Sequence, residues 1–389
     1  MRKGLFFIFF ALTLSRAMAA QFNTVMVDGL VYMQNADSTT VSLSYKSEGW
    51  NWHNWNNYSE SSITIPESIQ VDGKSYIVNA IGDYALNNCH NLTEVYLPRT
   101  IKSIGTYAFS CCDKLKELVL PDSLETISSF AFFNCLFDKL TIPSSVKNIY
   151  FCAFYSELNQ GGAINVYISD LSAWLKIIFG NDPDSNPIRG HLLLNNEAIN
   201  NLVIPDEIDV INNCALVSVD CDTLTIPDHV TYIGDYAFYR SSAKSIKVGN
   251  GVKEIGSHAF AYCSKVSNIE LGTMVETIHT PAFNGLGYKT CSLKTFICKA
   301  TTPPLFVGSN GAFIYYSLDD DYEDLNLDDV KLVVPYNSQK SYRDADVWNR
   351  FGHIIEGDED GEIANGDVNN DGRINIADVT SLIDYLLKH

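Results

Sequence analysis

The chain has 389 residues, 46% of them hydrophobic and 19% charged, a composition that folds rather than stays disordered. Its net charge of −19 excludes a nucleic-acid partner, because a phosphate backbone needs a basic face. Residues 319–389 hold 18 Asp or Glu against six Lys or Arg, so −12 of that charge sits at the C-terminal end.

Residues 1–20 read as a secretory signal: Arg2 and Lys3 are the positive end, Leu5 to Leu14 the apolar stretch, and Ala17-Met18-Ala19-Ala20 the small-residue cleavage site. This predicts a mature chain beginning near Ala20 or Gln21 and a secreted or cell-surface location. No later apolar stretch is long enough to span a bilayer.

Residues 21–80 form an N-terminal cap and first strand. Within them Trp50, Trp52 and Trp55 alternate with Asn51, His53, Asn54, Asn56 and Asn57 before Tyr58. Two uses stay open: aromatic faces beside amides can stack on sugar rings and bond their hydroxyls, or the tryptophans cover the open end of a stack of repeats.

From residue 81 to 300 one phrase recurs, Ile-Gly-x-x-Ala-Phe-x-x-Cys. Its anchor isoleucines are Ile81, Ile104, Ile127 and Ile149, then Ile211, Ile233, Ile255 and Ile278, in steps of 22 or 23 residues within each group. Self-similarity at so short a period means a solenoid, whose units bury their apolar faces only by stacking. Ahead of the anchors run Leu118-Val119-Leu120-Pro121, Leu140-Thr141-Ile142-Pro143, Leu202-Val203-Ile204-Pro205 and Leu224-Thr225-Ile226-Pro227. They read as short strands ended by Pro, which has no N–H for a ladder. Parallel coils about 4.8 Å apart would stack identical residues in columns, Phe on Phe and Cys on Cys.

The gap between Ile149 and Ile211 holds an insertion at about 157–203, with one or two irregular coils. In it Asp170 is placed to cap a short helix whose Leu171, Trp174, Leu175 and Ile178 form an apolar face, closed by Gly180. A turn-rich loop follows at 181–187. Ten cysteines in an exported chain pose their own choice. Cys89, Cys112, Cys135 and Cys263 share the slot eight residues after an anchor and read as buried thiols. Cys111 with Cys112, Cys214 with Cys221, and Cys291 with Cys298 are the places where disulfides stay open.

Residues 301–356 form a C-terminal cap and 357–365 a linker; the acidic run at 319–321, with Glu323 and Asp324, reads as a solvated loop. Residues 366–389 are a second, small α-helical module. Counting Asp367 as the first position of a twelve-residue loop, oxygen ligands fall at Asp367, Asn369, Asp371, the Arg373 carbonyl, Asn375 and Asp378, with Gly372 at the sharp turn. A hard cation needs six or more oxygens converging from one short loop, so the spacing points to Ca²⁺. Val379, Leu382, Ile383, Leu386 and Leu387 then lie on one helical stripe that needs a partner.

The repeated phrase, followed by Leu, an apolar strand and Pro, resembles the BspA-type leucine-rich repeat of bacterial surface antigens over most of residues 22–356. Val27-Asp28-Gly29-Leu30-Val31-Tyr32, Ile65-Pro66-Glu67-Ser68 and Gly73-Lys74-Ser75-Tyr76 resemble that family's N-terminal cap. Val334-Pro335, Ser338, Tyr342, Ala345, Trp348, Phe351 and Ile354 are similar to its C-terminal one. The resemblance implies a leucine-rich-repeat-like solenoid of short parallel strands and irregular turns that serves as an exported or surface-displayed, adhesin-like binding scaffold. The loop at 366–378 resembles a dockerin type I loop, which implies a cohesin-like partner. Here it occurs once, with Ile376 and Ala377 at positions where dockerins usually carry small polar residues, so docking on the solenoid or on another half-unit stays open beside it.

Catalytic motifs are missing: there is no His-Glu-x-x-His, no Gly-x-Ser-x-Gly and no metal-spaced cysteine pair flanked by histidines. The expected function is therefore non-enzymatic presentation of the solenoid to an extracellular protein or glycan. The alternative is an assembly component recruited through its tail, with the solenoid as carrier or spacer.

Overall fold

A computed structural model describes residues 24–46, 58–157, 164–188, 190–286, 292–308, 313–316, 322–324, 326–357 and 380. Residues 1–20, Trp50, Trp52, Trp55, Cys291, the acidic run 319–321 and the entire loop 366–378 lie outside the described residues. The chain divides into two compact units, one of residues 1–137 and 153–160, the other of residues 138–152 and 161–389.

The first unit opens as a meander. Strands Thr24–Val27, Leu30–Gln34 and Thr40–Ser44 pair antiparallel, and Lys74–Ile81 joins Thr40–Ser44 in parallel. Asp28-Gly29 turns the first of these strands into the second, and Asp72-Gly73 turns Ser68–Val71 antiparallel onto Lys74–Ile81, with φ of 51° and 80°, then 52° and 76°, the left-handed pair that a two-residue hairpin demands. From Ile81 onward the direction is fixed: Ile81 pairs with Ile104 and Ile104 with Ile127, parallel and in register. All three are at most 1% exposed. The expected strand Leu118-Val119-Leu120 forms no ladder. Its alternation survives, since Leu118 and Leu120 are buried while Val119 is 81% exposed.

Six of the eight phrases make their corner with two residues in the left-handed region, three and seven places after the anchor; that at Ile149 keeps only the first, Cys152, and that at Ile278 only the second. In the first unit these are Tyr84, Tyr107 and Phe130, then Asn88, Cys111 and Asn134, with φ between 55° and 59°. In the second they are Cys214, Tyr236 and His258, then Ser218, Arg240, Tyr262 and Gly285, with φ between 56° and 66°. Such turns aim backbone N–H groups along the stack, where the next coil satisfies them. Leu86 donates to Ala108, Phe109 to Ala131, Phe132 to Ala153, Phe238 to Ala259 and Phe260 to Ala282, all at 2.7–2.9 Å. The glycine after the anchor makes room for this approach: a Cβ on Gly234 would lie 2.6 Å from Asn213 N and 2.5 Å from its side-chain oxygen.

The second unit carries two parallel ladders. One runs through Asn201–Val203, Thr223–Ile226, Ser245–Val248, Asn268–Leu271, Thr295–Cys298, Lys331–Val334 and His353–Glu356. The other runs through Val210–Ile211, Tyr232–Ile233, Glu254–Ile255, Thr277–His279 and Leu305–Val307. Between them the core is a column of rings: Phe238, Phe260 and Phe283 stack at 5.3 and 5.6 Å with interplanar angles of 2° and 6°. Tyr342, Trp348 and Phe351 close the unit against Phe296 and Phe313.

The inserted stretch continues the coil geometry with unrelated residues. Asn165–Ile168 pairs in parallel with Lys139–Thr141 and with Leu192–Leu194, and Ile178–Phe179 with Asn148–Ile149. Asp170 caps the helix as expected, accepting from Ala173 N at 3.0 Å. The helix spans only Leu171–Leu175, however, and Lys176 rather than Gly180 is its C-cap. Ile178, expected on the helix's apolar face, is 61% exposed in the strand that follows. The chain leaves the helix early because residues 178–179 are needed to extend the parallel ladder.

Candidate binding surface

The repeat phrase supplies core, not chemistry. Cys112, Cys135 and Cys263 point their sulfurs at Leu86 O, Phe109 O and Phe238 O, at 3.1, 3.0 and 3.4 Å. Each acceptor is the residue five past the anchor of the preceding coil, so the column Cys ties a core carbonyl to the next coil with a weak bond; Phe109 O and Phe238 O also accept from Cys112 N and Ser241 N, at 3.2 and 3.0 Å. Burial pushes the Cys263 thiol up to about 12 and Cys221 to about 11. All nine described cysteines are free thiols, including Cys111, Cys112, Cys214 and Cys221.

A second set of ladders stiffens the coil edges. Asp83 accepts from Thr106 N at 2.7 Å, Asn213 from Asp235 N at 2.9 Å, and Asp235 from Ser257 N at 2.7 Å. Asp228 likewise accepts from Asn250 N, and Asn250 from Thr273 N. These polar residues therefore bridge coils and are poor candidates for ligand contact.

What remains outward is arrayed in register. On the long ladder of the second unit, Val203, Thr225, Lys247 and Glu270 form one row and Asn201, Thr223, Ser245 and Asn268 another. Glu270 is flanked by Lys247 at 3.4 Å and Lys299 at 3.1 Å. On the short ladder the outward row is Val210, Tyr232, Glu254, Thr277 and Leu305, with His279 bonded to Glu254 at 2.7 Å. Leu305 and Val210 are 65% and 44% exposed.

The left-handed corners carry a further array that the sequence reading missed. In the first unit Tyr84, Tyr107 and Phe130 stack face to face at 5.3 and 4.8 Å, and Phe133 meets Tyr107 and Phe130 edge-on. In the second, Tyr236 stacks on His258 at 4.6 Å, and burial lowers the His258 pKa. These rings are half-buried, leaving their edges at the surface. The signal lay in the variable x positions of the phrase, where aromatics return every 22 or 23 residues.

Beside the inserted helix an open cleft of about 320 Å³ is lined by Val146, Lys147, Asp170, Ser172, Lys176 and Glu207. Ser172 donates to Glu207 at 2.5 Å, and that bond lowers the Glu207 pKa. Among the described residues no three His, Cys, Asp or Glu are grouped to hold a metal ion, and no helix is long and apolar enough to cross a membrane.

The sequence matches the BspA type Leucine rich repeat region, in 6 copies, over residues 79–161 and 188–304, just over half of the chain. A leucine rich cell surface protein of Faecalibacterium prausnitzii is 18% identical over 75% of this chain and 96% of that one, with a TM-score of 0.34. The pneumococcal vaccine antigen PcpA is 16% identical over 86% of this chain and 98% of that one, with a TM-score of 0.38. A leucine-rich repeat protein of Bacteroides capillosus is 27% identical over 38% of this chain and 99% of that one, with a TM-score of 0.29. No match was found among curated proteins.

Proposed function

The chain belongs to the BspA-type leucine-rich repeat family, and from that premise we propose that it is an exported, non-enzymatic scaffold that presents its coils to an extracellular protein or glycan. The observation that carries this reading is the in-register array of variable outward residues on successive parallel strands. A repeated backbone holds side chains of differing chemistry at a fixed pitch, which suits an extended ligand better than a small substrate. Export rests on residues 1–20, and the tryptophans at 50, 52 and 55 remain candidates for glycan contact.

The test is an array of glycans and matrix proteins probed with the chain from residue 21 onward. The expected result is saturable binding weakened by Lys247→Glu or by Val203→Asp. Binding that ignores outward substitutions on both ladders would overturn the reading.

The tail supports a second role. Asp367, Asn369, Asp371, Arg373 through its carbonyl, Asn375 and Asp378 have the ligand spacing of a Ca²⁺ loop. The ion would order this segment and present its apolar stripe to a cohesin-like partner or to the chain itself. Calorimetric titration of the full chain should detect a Ca²⁺ site that Asp371→Ala removes. A pull-down with residues 357–389 deleted separates the two roles, because partner loss would assign recruitment to the tail.

A further inference from the structure

The thiol column is uniform except at its first member. The sulfurs of Cys112, Cys135 and Cys263 each meet a carbonyl of the preceding coil at 3.4 Å or less. Cys89 belongs to the first phrase, so no earlier phrase supplies that carbonyl. Its sulfur instead lies 3.9 Å from Asn87 O of its own coil.

Register brings the two cysteines together. Leu86 N donates to Ala108 O at 2.7 Å and Asn88 N to Ser110 O at 2.8 Å, so the phrases holding Cys89 and Cys112 are stacked position for position. Equivalent residues of neighbouring parallel strands are about 4.8 Å apart, inside the roughly 4.4–6.8 Å between Cα atoms that a disulfide spans.

We propose that Cys89 and Cys112 are an oxidisable pair, a modification site at which the folding chain acquires a disulfide that ties its first coil to its second. The neighbouring Cys112 sulfur holds the Cys89 thiol below the ordinary range, while Cys89 and burial hold Cys112 well above it. Cys89 is therefore the attacking sulfur. Its thiolate opens the disulfide of an external thiol–disulfide oxidoreductase, forming a mixed disulfide and releasing one enzyme thiolate. Cys112, having given up its proton, then attacks Cys89 and releases the second. The chain loses two protons and two electrons, and the oxidoreductase leaves as a dithiol. Both sulfurs are 0% exposed once the coils are closed, so exchange takes place before closure or through local opening.

The inference stands apart from the ligand reading and is tested without a ligand. The full chain is refolded in a buffer of oxidised and reduced glutathione, denatured, alkylated without reduction, digested and mapped by mass spectrometry. The expected result is a linked peptide pair containing Cys89 and Cys112, retained in Cys135→Ser. Reduction should lower the thermal midpoint of the wild type and leave that of a Cys89→Ser, Cys112→Ser double variant unchanged. Alkylation of both sulfurs in most chains, or linkage of Cys112 to Cys111 or Cys135 instead, would overturn the proposal.

Discussion

The regular coils of the second unit and the inserted stretch solve the same problem by opposite means. In the coils at 211–285 core residues stack on their counterparts in columns, as Phe260 does between Phe238 and Phe283. In the insertion, single side chains reach out to bond the backbone of a neighbouring coil. Trp174 Nε1 donates to Ala215 O at 2.9 Å, and Asn186 Nδ2 to Cys214 O at 2.8 Å and Ala215 O at 3.0 Å. Asn212 returns the favour, donating to Leu175 O and Ile177 O. A column tolerates a similar neighbour, because its contacts are shape and area alone. A unique polar anchor tolerates none, because its loss takes a side-chain donor away from a buried carbonyl.

The largest effects should come from emptying either core. Phe260→Ala and Trp174→Ala each remove a buried ring and should cost about 3–5 kcal/mol. Milder substitutions separate the two regions. Phe260→Leu keeps most of the volume and should cost less than about 1.5 kcal/mol, in keeping with the native Leu216 at the equivalent place of the coil at 211. Trp174→Phe opens a void and removes one of the two donors to Ala215 O, and should cost about 2 kcal/mol. Urea denaturation of the four variants measures this, and equal costs for the two milder changes would erase the distinction.

Next in size is Asn186→Ala, expected at about 1–3 kcal/mol because two buried carbonyls lose a shared donor. The matching change in a column is Cys263→Ala, expected at about 1 kcal/mol, since a thiol is a weak donor and the void is small. If Cys263→Ala proved as costly as Asn186→Ala, the thiol column would be an anchor system in its own right.

The columns were legible because the period is short and the coils are parallel and in register, so Ile81, Ile104 and Ile127 had to meet. The thiol-to-carbonyl bonds were not, because spacing says which residues stack but not which backbone atom a sulfur faces. Leu118 to Leu120 shows the limit of alternation: the pattern fixes which side chains turn inward without guaranteeing a ladder. Ile178 shows the limit of helical periodicity, since the requirement to rejoin a parallel strand overrode the i, i+7 spacing. On the candidate surface, Asp170 as a helix cap was readable from its residue type, whereas the aromatic corner array was hidden. Tyr84, Tyr107 and Phe130 occupy left-handed positions where sequence rules expect Gly or Asn.

That last point gives the subtlest test of the comparison. A non-glycine residue in the left-handed region costs roughly 1 kcal/mol. At Tyr107 that cost is offset by stacking on Tyr84 and Phe130. Tyr107→Ala keeps the strain and loses both stacks. Tyr107→Gly also loses them but relieves the strain, partly at the expense of a more flexible unfolded chain. Glycine should therefore be the better tolerated, by about 0.5–1 kcal/mol, an inversion of the usual order. The insertion supplies the control. Its hairpin between Leu192–Leu194 and Glu197–Ala198 turns through Asn195 and Asn196, with φ of 52° and 71°, and both side chains are exposed. Asn tolerates this region well, so Asn195→Gly should shift stability by no more than a few tenths of a kcal/mol. If alanine outperformed glycine at Tyr107, the strained corner would not be what stacking offsets, and the aromatic array would have to be explained by what it meets outside the chain.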